Sequence, residues 1–208
     1  MTNEPRPRSG SVAPRLAAMM FLQFFLWGAW YVTLGPFMNA RGMKPEAIGD
    51  AYSVGPIAAI LAPVFLGMIA DRFFASQVVL GVMHLIGGAL LLIAPQVVPA
   101  AGGGEYPTAF VALLFAHMLC YMPTLGLSNT VAFHNIRNAE KEFPLIRVLG
   151  TIGWIVAGFV VGFLANRAAG PGAAESAINA QPVFFQVAGA SGILLGLYSF
   201  TLPHTPPP

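Results

Sequence analysis

The stretch Phe143-Pro-Leu-Ile-Arg147-Val-Leu-Gly150-Thr151-Ile-Gly153-Trp154-Ile-Val-Ala157 is apolar apart from one cation, Arg147. Read as a helix, it places Arg147, Thr151 and Trp154 at i, i+4 and i+7, so a guanidinium, a hydroxyl and an indole share one face. An arginine at the centre of a lipid-embedded helix costs roughly 2.5–3.5 kcal/mol on insertion scales, so it normally faces a polar partner or a wet cavity. A plainer reading stays open on these residues alone. In it, Arg147 lies about one helical turn into the segment and snorkels to the headgroups, Thr151 bonds back to a carbonyl, and Trp154 faces lipid.

The rest of the chain has the composition of a membrane protein. Of its 208 residues 56% are hydrophobic and 9% charged, where a soluble domain carries about 25% charged residues. The formal net charge of +2 comes without a basic cluster, which argues against nucleic acid. Cys120 is the single cysteine, so there is no intrachain disulfide and no thiolate metal site, and no cofactor is expected. The start, Met1 to Arg15, is polar and Pro-rich. The apolar run after it lacks a small-residue cleavage site and is expected to stay as a span.

Six stretches are long enough to cross a bilayer: 16–38, 46–70, 77–95, 108–132, 146–166 and 183–202. They divide the chain into a cytoplasmic tail (1–15), a transmembrane bundle (16–202) and a Pro-rich cytoplasmic end (203–208). Charged, Pro-rich or Gly-rich breaks separate them. With the N-terminus inside, Arg6, Arg8, Arg15, Arg72, Arg137, Lys141 and Arg147 fall on the cytoplasmic side, against Arg41, Lys44 and Arg167 outside. That excess predicts both termini in the cytoplasm.

Several spans carry more than apolar filler. The first aligns Gln23, Trp27, Trp30 and Tyr31 on one side, as a cavity wall or as helix packing. The second contains Gly55-Pro56 and Pro63, which predict a bend, and ends in Gly67-Met-Ile-Ala-Asp71-Arg72. There Gly67 permits close approach, and the acid–base pair is placed to latch another helix. His84 and His117 read as structural, since neither has a ligand partner at metal spacing. In the fourth span Pro123 and Gly126 predict a kink or local unwinding. Tyr121, Thr124 and Ser128 share a face there, with Asn129 and Thr130 beside them. Gly158/Gly162 and Gly192/Gly196 have the four-residue spacing of close helix packing. Tyr31-Val-Thr-Leu-Gly35 echoes Tyr121-Met-Pro-Thr-Leu-Gly126, as two inverted three-helix repeats would.

With those residues in view, the chain resembles the N-terminal half of the bacterial nucleoside:proton symporters, a branch of the major facilitator superfamily. The resemblance rests on Phe21-Leu-Gln-Phe-Phe-Leu-Trp-Gly-Ala-Trp30, Gly67 to Arg72, Tyr121 to Thr130, Arg147-Val-Leu-Gly-Thr-Ile-Gly153 and Thr201-Leu-Pro-His204. It implies an all-α membrane fold of six transmembrane helices in two inverted repeats, one half of a twelve-helix carrier. It also implies a nucleoside site with Arg147, Thr151 and Trp154 in its wall, and Tyr121, Asn129 and Gln23 in the same set. Gly67, Asp71, Arg72 and Pro123 are then gating or structural positions. The chain ends after six spans and has no mid-span Asp or Glu, so it reads as truncated. Its coupling acids for protons, and the partner of Asp71 and Arg72, are expected in the missing half, outside this chain. The chain itself is expected to pair with a second six-helix half or to form a homodimer.

Two other classes remain. Gly126-Leu-Ser128-Asn with His134 superficially suggests an intramembrane serine hydrolase. Six residues apart on one helix point in different directions, however, and no orienting acid is near, so no enzyme is expected. A non-transporting six-helix scaffold or regulator would keep the fold and lose the activity.

Overall fold

Within a bilayer every backbone N–H and C=O must be satisfied inside its own segment, so long apolar runs fold as helices. The computed structural model describes residues 12–99 and 106–207, and of residues 63–73 the backbone only. The helices are α1 (Val12–Ala40), α2 (Pro45–Phe73), α3 (Ser76–Ile93, followed by a 3-10 turn), α4 (Thr108–Asn135), α5 (Ala139–Ala169), the short α6 (Glu175–Asn179) and α7 (Val183–Ser199). Among the described residues, α1, α4, α5 and the segments Ser76–Val97 and Glu175–Ser199 are long and apolar enough to cross a membrane.

Each expected span sits in a helix, but the ends shift. The first helix begins at Val12, inside the expected tail. The larger difference is α5, which starts at Ala139 rather than 146 and runs through Pro144. Its cap explains this. The Asn138 side chain accepts from Lys141 N–H at 3.1 Å, and Glu142 Oε1 accepts from Asn138 N–H at 2.8 Å. That reciprocal cap fixes the first turn upstream of the proline, which near a helix start displaces only one intrahelical bond. Arg147 therefore lies about two turns into its helix, not one.

The expected bends do not interrupt the helices. α2 continues past Gly55 and Pro56, and α4 past Pro123. In α1, Tyr52 from α2 reaches the rung beside Pro36: its hydroxyl accepts from Gly35 N–H at 2.9 Å and donates to the Tyr31 carbonyl at 3.0 Å.

The packing has internal symmetry. α1 packs on α5 and α7, α4 packs on α2 and α3, and α3 packs on α7. Exchanging α1 with α4, α2 with α5 and α3 with α7 returns the same pairings, the signature of two related three-helix units. Glycines set the closest approaches. A Cβ on Gly153 would stand 2.3 Å from the Phe21 carbonyl oxygen, so only glycine lets α5 lie this close to α1. A Cβ on Gly192 would lie 2.9 Å from the Gly88 Cα, and one on Gly196 would lie 3.0 Å from the Gly81 carbonyl oxygen, as the sequence spacing predicts. Gly158 and Gly162 differ: a Cβ on either meets nothing within 4 Å. Their spacing was right for packing, but the face that packs on α1 carries Gly150, Gly153 and Ala157 instead.

Inside the bundle two apolar cores lie at opposite ends. One includes Leu26, Trp30, Phe37, Leu91, Phe110, Met118 and Phe184; the other includes Leu16, Met20, Leu80, Val131, Ile146 and Leu195. Between them, in sequence and in depth, come the buried polar residues Gln23, His84, Thr124 and Ser191, one from each of α1, α3, α4 and α7. At one end the chain after α7 folds back. Thr205 accepts from Ser76 N–H through its carbonyl and donates its own N–H to Gln77 Oε1, both at 2.9 Å; Asn135 donates to its hydroxyl at 2.9 Å. Tyr198 also donates to the Arg15 carbonyl at 3.1 Å. The start of α1, the start of α3 and the ends of α4 and α7 thus share one side.

Candidate functional site

The α5 face read from the sequence is present. Arg147 is half-buried, Thr151 is exposed and Trp154 is half-buried. The Arg147 guanidinium carbon lies 3.9 Å from the centre of the Phe24 ring of α1. Arg147 has no ion pair or hydrogen-bond partner among the described residues. A ring face attracts a cation without occupying any N–H, so the contact with Phe24 leaves all five guanidinium donors open. Seven residues on, Trp154 meets Trp27 of α1 edge to face with ring centres 5.3 Å apart. Gly28 makes that possible, because a Cβ there would lie 3.0 Å from the Trp154 backbone. Phe24 and Trp27, one turn apart on α1, thus back Arg147 and Trp154 on α5.

Trp27 links this wall to the interior. Its ring lies 5.6 Å from Tyr121 and 5.7 Å from Tyr31. Behind Tyr121 a directed circuit ties three helices. Thr124 donates its hydroxyl to the Tyr121 carbonyl, so it must accept from Gln23 Nε2 at 2.7 Å. That leaves Gln23 Oε1 facing His84 Nε2, which donates at 2.7 Å. Tyr121 closes the loop by donating to the Gln23 backbone carbonyl at 2.8 Å. His117 Nδ1 donates to the Gly87 carbonyl at 2.9 Å, tying α4 to α3. Both histidines therefore bond neighbouring helices. Gln23 and Tyr121 are fully buried, their polar groups satisfied inside the bundle.

The remaining expected residues lie apart. Asn129 is half-buried on α4, two turns beyond Tyr121, and like Thr151 it has no side-chain partner among the described residues. Pro123 is within α4 beside the circuit. The surroundings of Gly67 and the side chains of Asp71 and Arg72 lie outside what is described. Ser128 donates to the Leu125 carbonyl of its own helix at 3.1 Å, the back-bond of a helix-interior hydroxyl. No group of three or more metal-ligating side chains occurs among the described residues. Beside Trp154, a groove of about 400 Å³ runs between α1 and α5 toward α6, past Thr33, Gly158, Gly162 and Asn179.

Sequence reasoning missed Phe24, Gly28 and Gly150. The signal was there: Phe24 and Trp27 stand one turn apart on α1, and the triad on α5 is interleaved with small residues.

Comparisons with known proteins agree with this architecture. Residues 11–208 match the family model described as Nucleoside H+ symporter. YegT of Escherichia coli (strain K12) is 42% identical over 193 residues, covering 93% of this chain and 43% of its own length. Xanthosine permease of the same organism is 32% identical over 94% of this chain and 44% of its own. The crystal structure of the nucleoside transporter NupG superposes with a TM-score of 0.81 at 32% identity, covering 94% of this chain and 45% of that one. The chain thus spans about half the length of the relatives it matches, and its fold is one six-helix half of a major facilitator.

Proposed function

Because the chain belongs to the nucleoside H+ symporter family, we propose that it supplies the N-terminal wall of a central nucleoside site in a proton-coupled transporter. The observation that carries this reading is Arg147: a half-buried guanidinium in an apolar helix, with no donor engaged among the described residues and Thr151 and Trp154 on its face. Each group suits one part of a nucleoside. The guanidinium donates to base or ribose oxygens, the Thr151 hydroxyl bonds a ribose hydroxyl, and the Trp154 face stacks on the base. Asn129 adds an amide from α4, while Tyr121 and Gln23 support the wall from behind through Trp27. The groove beside Trp154 offers the ligand a route along α1 and α5.

Coupling to protons needs a group that titrates within the membrane. The sequences of α1, α3, α4 and α7 contain no Asp or Glu, and α5 carries Glu140 and Glu142 only in its first turn. We assign the coupling acids, and the partners of Asp71 and Arg72, to a second six-helix half. The protein resides in the bacterial cytoplasmic membrane with both termini inside, the side rich in Arg15, Arg137 and Lys141. Residues 1–15, 16–202 and 203–208 then serve as cytoplasmic tail, bundle and cytoplasmic end, with Val12–Arg15 already part of the first helix.

The test is thermal stability of the purified chain with uridine and with adenosine, beside Arg147→Ala. Stabilisation of the wild type and not of the variant is expected. A wild type that responds to neither nucleoside, or a variant that responds equally, contradicts the reading.

A further inference from the structure

Arg147 is held in a way that calls for explanation. A cation this deep in an apolar helix is usually neutralised by a carboxylate, which then occupies its donors. Here the guanidinium carbon sits 3.9 Å from the centre of the Phe24 ring instead. The space it needs is made by Gly150, one turn along α5. A Cβ at that position would lie 2.8 Å from Arg147 Nη1 and 2.7 Å from Phe24 Cδ2. Gly150 is therefore the floor on which the guanidinium and the ring meet, and any larger residue must push one off the other. Two independent features, a ring from α1 and a missing side chain on α5, converge on one side-chain pose.

We propose that Phe24 and Gly150 form a seat for Arg147, and that Phe24 is a positioning residue of the nucleoside site. This rests on the nucleoside reading above and adds how the site is preorganised. The ring stabilises the charge through its quadrupole and uses no hydrogen-bond donor. The guanidinium is then fixed before the ligand arrives, so less of its rotamer freedom is lost on binding, and its planar fork stays open toward acceptor oxygens. A seat built from a carboxylate would have to be broken for each binding event. A seat built from a ring does not.

The experiment has two readouts on the purified chain. The first needs no ligand. In arginine-labelled protein, the Arg147 Nε–H resonance, assigned by its loss in Arg147→Lys, is expected upfield from the ring current of Phe24. It should move back among the other arginines in Phe24→Leu. The second is uridine affinity across Phe24→Leu, Phe24→Met, Phe24→Tyr and Gly150→Ala. A cation–π contact of ordinary strength corresponds to about tenfold in affinity. Phe24→Leu and Phe24→Met should therefore bind about tenfold more weakly, Gly150→Ala likewise, and Phe24→Tyr should bind as the wild type does. A general packing defect would not be rescued by tyrosine alone.

An Arg147 resonance without the upfield shift in the wild type overturns the seat, whatever the variants do. So does unchanged uridine affinity in Phe24→Leu while Arg147→Ala abolishes binding, and in that case the nucleoside reading stands. A wild type that binds neither uridine nor adenosine removes the nucleoside reading, and the positioning role with it.

Discussion

Replacing Gln23 by leucine tests the polar layer that separates the two cores. The side chain makes two interhelical bonds, to Thr124 of α4 and from His84 of α3. Interhelical hydrogen bonds in membrane proteins average about 0.6 kcal/mol each. The larger effect is the stranded partner. His84 is fully buried, and Gln23 Oε1 is the acceptor for its Nε2–H. A buried donor left without a partner costs about 1–3 kcal/mol. Thr124 suffers less, because it still donates to the Tyr121 carbonyl, and Tyr121 keeps its bond to the backbone of residue 23. Gln23→Leu should therefore lose about 2–4 kcal/mol by these figures. On the soluble-protein scale for this size, that lowers Tm by about 5–15 °C. The double variant Gln23→Leu/His84→Leu removes donor and acceptor together and should be more stable than Gln23→Leu alone, since matched apolar replacement is nearly neutral. Thermal unfolding in one detergent reads all the proteins. A double variant as unstable as the sum of the two single losses would refute the stranded-donor argument.

Three further outcomes follow from the same structure. Gly153→Ala drives a Cβ to 2.3 Å from the Phe21 carbonyl and should cost about 2–3 kcal/mol in detergent-induced unfolding. Gly158→Ala, facing open space, should stay within about 1 kcal/mol of wild type, and equal losses would show that the α1–α5 interface is misplaced. Tyr106 lies before α4 and donates to the Asp50 carboxylate, which holds its phenol above the ordinary value of 10.0. That contact is present at lower pH and lost as pH rises through the raised value. Phenolate absorbance should show a late-ionising tyrosine that vanishes in Tyr106→Phe and titrates earlier in Asp50→Ala. Thr205→Ala leaves the backbone bonds to Ser76 and Gln77 but removes the hydroxyl that accepts from Asn135. Protease sensitivity should then rise at residues 203–207 while Tm falls by only about 2–4 °C, one ordinary hydrogen bond; an unchanged digest would show that the clamp does not depend on it.

The elements were legible because apolar runs and their Pro, Gly and charged breaks state where helices must lie. The start of α5 was not, since Pro144 reads as a stop and the cap from Asn138 and Glu142 outweighs it. Packing faces were harder. These helices are apolar nearly all round, so periodicity does not say which side meets a neighbour and which meets lipid. The pair Gly158/Gly162 has the right spacing on the wrong face, while Gly153 does the packing without it. Polar residues in spans carry the same ambiguity. Gln23 and Arg147 looked alike as polar intruders; one is satisfied inside its own bundle and the other is not, and only the positions of His84, Thr124 and Phe24 separate them.

The most direct test of the central claim is equilibrium binding of radiolabelled uridine to the purified chain, wild type beside Arg147→Ala. Saturable binding to the wild type, weakened at least tenfold in the variant, is the result predicted from an open guanidinium that donates to substrate oxygens. Absence of binding to the wild type, or equal binding to both proteins, would contradict a nucleoside wall built around Arg147.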